Sequence, residues 1–168
     1  MFKKVAAGEP KEVIIREWCA KFDPAFDSDD FAGNISSRRF RNPSAFHVDG
    51  AAREVVEFVL SGEKGEGFDS KLNDLCQLVA LWNSSPSETL KPFTQLRSLV
   101  ASNLGDFDAN SEEAQNINSR IDEVVLVAFE DYVLSREKLN SIRFNELKRK
   151  TDALERVFNN AQKEMGEF

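Results

Sequence analysis

The sequence predicts an all-α protein that ends in one exceptionally long helix. Three observations carry this. Apolar residues recur at spacings of three and four along most of the chain. No run of useful length alternates polar and apolar side chains, as a half-buried strand would. No glycine or proline occurs between Asp106 and Met165. Nothing therefore interrupts a helix of roughly 55 residues beginning near Ser111, about 80 Å long at 1.5 Å per residue.

The elements follow in order. A first helix over about Lys11–Phe22 carries Ile14, Ile15, Trp18 and Phe22 on one face. Pro24–Asn34 reads as an acidic loop with Phe26 and Phe31 as anchors, and Ile35–Arg41 as a short helical turn. Asn42-Pro43 is a helix start, because Asn accepts the orphan N–H bonds and Pro fits the first helical position. The helix that follows carries Phe46, Val48, Ala52, Val55, Val56, Val59 and Leu60 and ends at Ser61-Gly62. After a loop with Gly62, Gly65 and Gly67, Asp69 is expected to cap a third helix with Leu72, Leu75, Cys76, Val79 and Trp82. Ser85-Pro86-Ser87-Glu88 is a capping box opening a fourth helix with Leu90, Phe93, Leu96, Leu99 and Val100. Pro92, deep in that helix, predicts a kink or a missing hydrogen bond. Gly105 is expected to close it, and Asp106–Asn110 to form a polar turn.

The long helix changes character along its length. Ile117–Tyr132 is rich in large apolar residues, and Val124–Phe129 is apolar nearly all round, which predicts that this half lies within the core. Further on, Phe144, Thr151, Phe158 and Met165 alternate with Leu147, Leu154 and Ala161 at heptad a and d spacing. This pattern divides the chain into a helical domain, 1–143, and a projecting coiled-coil-like extension, 144–168. The seam Phe144, Leu147, Thr151, Leu154 and Phe158 is the expected dimer contact. Between Arg136 and Lys150 there are six basic residues (Arg136, Lys138, Arg143, Lys148, Arg149, Lys150) and two acidic ones (Glu137, Glu146), a local +4. Arg136, Arg143, Lys148 and Arg149 are the candidate contacts for an acidic partner.

Composition narrows the function. A net charge of −7 excludes a general nucleic-acid binder, which needs cationic surface, and gives no purchase on anionic lipid. No stretch approaches 18 apolar residues, so no membrane span is expected. The start Met1-Phe2-Lys3-Lys4 lacks the apolar run of a signal peptide. Cys19 and Cys76 form no metal spacing and read as buried thiols of a reducing, cytoplasmic setting. Fourteen Phe against one Tyr and two Trp suit a water-excluding core better than a polar site. His47 is the single histidine, lies early in its helix, and supports neither haem ligation nor a nucleophile–base pair. Asp27–Asp30 lacks the glycine and terminal Glu of a calcium loop. The Gly62–Gly67 stretch follows no strand and is acidic, so it is no phosphate cradle. No catalytic, metal or cofactor site is expected, and the chain reads as a non-enzyme.

The stretch Ala128–Leu139, continued by Arg143-Phe144-Asn145-Glu146-Leu147-Lys148-Arg149-Lys150-Thr151, resembles the last helix of the N-terminal domain of RsbR-type proteins, the stressosome co-antagonists of the kinase RsbT. Ile14–Trp18 is similar to that family's first helix, Arg39–Pro43 to its second helix start, and Ser85-Pro86-Ser87 to its mid-domain motif. The resemblance implies a globin-like fold without haem, a dimer and a regulatory role, with the final helix leading towards an output domain. No output domain occurs in these 168 residues. The expectation is thus a dimeric sensor or regulatory domain that relays a signal through paired C-terminal helices. The alternative is a stand-alone adaptor docking through its basic helix face.

Overall fold

The computed structural model describes residues 9–22, 43–82, 84–105, 108 and 110–166. Among them all regular structure is helical: α1 (Glu9–Phe22), α2 (Pro43–Ser61), α3 (Phe68–Ala80), α4 (Pro86–Asn103) and α5 (Glu112–Gly166). The expected acidic loop 24–34 and helical turn 35–41 lie outside the described residues. The chain divides into two compact units, Met1–Tyr132 and Val133–Phe168.

In the first unit α1 packs against both α2 and α4, and α2 against α3. The α1 face predicted from spacing is the buried one: Ile14, Ile15, Trp18, Cys19 and Phe22 all lie inside. Trp18, Phe22 and Phe93 form an aromatic triad, each pair edge-to-face, with centroids 5.1, 5.7 and 5.2 Å apart. The Trp18 indole Nε1 donates to the Pro92 carbonyl at 2.8 Å, so the ring buries no unpaired polar atom. Helix α4 runs unbroken through Pro92. The proline removes the N–H that would reach the Glu88 carbonyl. Glu88 is exposed, and water can serve its carbonyl instead.

The capping box of α4 is present as read. Ser85 Oγ accepts from Glu88 N at 3.3 Å, and a Glu88 carboxylate oxygen accepts from Ser85 N at 3.1 Å. These bonds to the Ser85 backbone and hydroxyl hold the Glu88 carboxyl below its ordinary range. Two other helix ends differ from expectation. Gly67, not Asp69, occupies the cap of α3, with no side-chain cap bond. The helix starts earlier because Phe68 is buried against Phe58, centroids 5.0 Å apart. Asp69 sits in the first turn, where its charge still opposes the helix dipole. At the end of α4 the closing residue is Leu104, in extended conformation, and Gly105 merely follows it.

Gly62 ends α2 as the sequence predicts. Its φ is +84°, and its N–H donates to Phe58 O at 2.8 Å, terminating α2. The space a β-carbon would fill is taken by Arg120 of α5, whose Nη2 lies 2.7 Å from that position. Arg120 Nη1 donates to the carbonyls of Val59 and Leu60 at 3.0 and 3.3 Å, placing a cation at the negative end of α2.

Helix α5 begins at a Ser111 cap, with Ser111 Oγ accepting from Ala114 N at 3.1 Å. Its buried stripe is Ala114, Ile117, Ile121, Val124, Ala128 and Tyr132. Cys76 Sγ donates to the Ala128 carbonyl at 3.5 Å beneath it. On one flank Lys64 pairs with Glu123 at 2.7 Å and also lies over the Phe58 and Phe68 rings. On the other Arg97 pairs with Asp122.

One expectation is corrected here. Val124–Phe129 is not enclosed: Leu126 is 68% and Phe129 53% exposed. Neighbours cover only one arc of α5, and at 100° per residue Leu126 and Phe129 face away from it. Tyr132 is the last residue of the stripe to be buried.

Two outcomes follow for stability. Trp18→Ala removes the centre of the aromatic triad and should lower the unfolding free energy by about 3–5 kcal/mol, whereas Leu126→Ala, already in water, should change it by less than about 0.5 kcal/mol. Urea titrations of both variants check the contrast. Gly62→Ala should cost at least about 1–2 kcal/mol, since alanine is strained at positive φ and its methyl displaces Arg120; thermal unfolding measures it.

Candidate interaction surface

The second unit is helix as far as its described residues go. Glu, Leu, Lys, Arg and Asn are its commonest residues, and all of these but Asn are good helix formers. Glu146 and Lys150 are spaced to support each other across one turn. From Asn140 onward every side chain whose burial is described is exposed.

The five seam residues lie on one side of this helix. Seven residues advance 700°, only about 20° short of two full turns, so an a/d series drifts slowly around the axis. Phe144, Leu147, Leu154 and Phe158 are 67, 64, 71 and 63% exposed. Thr151 is also exposed, and its hydroxyl donates to the Leu147 carbonyl at 3.1 Å, which leaves the methyl as the group the seam presents. Ala161 and Met165 continue the line, likewise exposed. Large apolar side chains at this spacing in water form a contiguous patch of the kind that marks an interaction site.

Some surface members were not among the expected ones. Val157, beside Phe158, is 67% exposed and widens the seam. Leu126 and Phe129 form a second exposed apolar pair, in the first unit. Their periodicity matches that of core residues, so only coordinates tell them apart.

The basic candidates are distributed differently. Arg143, Lys148 and Arg149 are exposed, whereas Arg136 is half-buried and already engaged within the protein. At 100° per residue Arg136 and Arg143 share a side, while Lys148 and Arg149 point elsewhere. The charges therefore encircle the helix and flank the seam on both edges.

No cluster of His, Cys, Asp or Glu suited to a metal ion occurs among the described residues. Asp27–Asp30 lies outside them. His47 is a surface residue of α2, its Nδ1 3.8 Å from Asp74. Both cysteines are free and buried. Burial, with the neighbouring Asp131 charge, pushes the Cys76 thiol up to about 12, and burial with the Asp49 charge pushes Cys19 up further. Burial likewise raises the Asp131 carboxyl, against a hydrogen bond from Asn73 and aided by the charges of Glu130 and Asp69. Neither thiol has the depressed pKa or exposure that nucleophilic or redox chemistry needs. Among the described residues no helix is long and apolar enough to cross a membrane.

No protein-family model matches the chain. No solved structure matches it either. Over 118 residues the chain is 23% identical to an uncharacterized protein of Archaeoglobus fulgidus, a match covering 68% of this chain and 76% of that protein.

The thiols make a prediction about pH. Their folded pKa values lie above the unfolded value of about 8.5, so their contribution to stability is complete below pH 8.5 and is lost as pH rises towards 12. Each thiol should add a downward slope of up to about 1.4 kcal/mol per pH unit over that window. Urea unfolding at pH 8, 9.5 and 11 should show a shallower decline in Cys19→Ser/Cys76→Ser than in the parent. Equal slopes would remove the thiols from the account.

Proposed function

We propose that this protein is a non-catalytic regulatory module that works as a dimer through its C-terminal helix, a sensor domain of the stressosome co-antagonist type with a globin-like, haem-free body. The observation that carries this reading is the exposed seam of Phe144, Leu147, Thr151, Leu154 and Phe158. Each large apolar side chain gains about 1.5–3 kcal/mol when it leaves water, so the helix is far more stable covered than bare. A second copy supplies a matching seam without any further gene product. Supporting it are the all-helical architecture, the α4 capping box at the Ser85-Pro86-Ser87 motif and the buried Ile14, Ile15 and Trp18 of α1. A change in the body then has one route outward, a shift of the paired helices between two packings. Reduced, buried thiols suit a cytoplasmic setting.

A second reading has an observation of its own. The +4 stretch Arg136–Lys150 on a chain of net charge −7 presents Arg143, Lys148 and Arg149 to solvent. In this reading the protein is an adaptor that holds an acidic partner by charge-assisted contacts.

Each reading has a test of its own. Leu154→Asp should reduce the sedimenting species to a monomer while the circular dichroism of the body persists; an unchanged sedimentation coefficient would refute the seam. Arg143→Glu with Lys148→Glu should weaken pull-down of the partner under the adaptor reading.

A further inference from the structure

The same seam carries information about the direction of pairing. Resting on the dimer reading above, we propose that the second copy lies antiparallel along it, with Phe144 against Ala161 of the other chain, Leu147 against Phe158 and Thr151 against Leu154, each contact made twice.

Side-chain size favours this register. A parallel pair stacks each seam residue on itself: Phe144 on Phe144, Phe158 on Phe158, Thr151 on Thr151, Ala161 on Ala161. Layers of two phenylalanines would then alternate with layers too small to fill the same gap, and interiors pack densely with few voids. The antiparallel register sets the larger member of every layer against a smaller one, Phe against Ala, Phe against Leu, Leu against Thr. The Thr151 hydroxyl is already bonded to Leu147 O at 3.1 Å, so its layer buries no unpaired donor.

Charge selects the same arrangement. Lys148 and Glu155 are successive e positions, and Arg143, Lys150 and Val157 successive g positions. Parallel helices face g to e, which sets Arg143 against Lys148 of the partner chain twice and Lys150 against Glu155 twice. Antiparallel helices face e to e and g to g. The proposed register then sets Lys148 against Glu155 twice and lays the Lys150 stem over Val157, with no like-charge pair among these residues. Sliding by one heptad either way is penalised: one slip opposes Glu155 to Glu155, the other Lys148 to Lys148. Lys148 and Glu155 are exposed, as is Val157, so the second copy can reach each of them.

Disulfide trapping of the full chain tests this, because the buried Cys19 and Cys76 leave only introduced thiols reactive. In the antiparallel register two Ala161 residues are roughly 25 Å apart along the axis, far beyond disulfide reach of about 7 Å. Ala161→Cys alone and Phe144→Cys alone should therefore give no linked dimer, and an equal mixture of the two should link. A readily linked Ala161→Cys homodimer would overturn the register and leave the dimer intact. A monomeric mass for the unmodified protein at all concentrations would overturn the dimer itself. Lys148→Glu gives an independent sign test. Antiparallel pairing sets the new Glu against Glu155 and should raise the dimer Kd about threefold to tenfold, whereas parallel pairing relieves the clash with Arg143 and would lower it. Tighter association of that variant would sink the proposal.

Discussion

The constraint on which the molecule depends is the mismatch between the apolar surface of α5 and the side chains available to cover it. Burial along this helix runs from Ala114 to Tyr132 at spacings of three and four. After Tyr132 apolar residues continue in the sequence, but none of those described is buried. A helix gains most of its stability from packing one face, not from propensity alone. The second unit must therefore rely on good helix formers until something covers its seam.

The first unit shows how the covered part is secured. Most of the stabilisation comes from burying the inner faces of α1, α2, α3, α4 and the start of α5, with the Trp18–Phe22–Phe93 triad at one end and Phe58–Phe68 at another. Ion pairs contribute register more than energy, since exposed pairs are worth little. Arg120 on the last carbonyls of α2 and Lys64 on Glu123 tie α5 to specific points along its neighbours. Arg53 does the same between α1 and α2, reaching Glu12 at 3.0 Å and Asp49 at 3.2 Å. Partial burial works against its charge, but these carboxylates outweigh that and hold the guanidinium protonated.

An antiparallel pair has consequences for the proposed relay. In the family that the sequence resembles, the last helix leads to an output domain. Antiparallel pairing places the two carboxyl ends at opposite ends of the shared seam. Each subunit then delivers its signal separately, and coupling between the copies passes through the layers from Phe144 to Ala161. Charge and seam serve one surface in this arrangement: the lysines and glutamate that flank the apolar line choose its direction, and the apolar line supplies the affinity.

Helix positions were legible because local rules set them: the Ser85–Glu88 box, Pro43 at the first position of α2 and the long stretch free of glycine and proline each act within a few residues. The buried face of α1 and the a/d line from Phe144 to Phe158 were also legible, since helical periodicity alone places those residues on one side. Three things were not. Gly67 caps α3 because Phe68 finds Phe58, a contact made across a loop. Leu104, not Gly105, closes α4, in extended conformation, while Arg120 reaches the last carbonyls of α2 from far along the chain. Leu126 and Phe129 stand in water while Val124 and Ala128 are buried, although the sequence spaces all four alike. Periodicity says which side chains share a face; it does not say how wide an arc neighbouring helices cover. That width is set by packing between distant segments, and so only the tertiary structure decides where the core ends and the open seam begins.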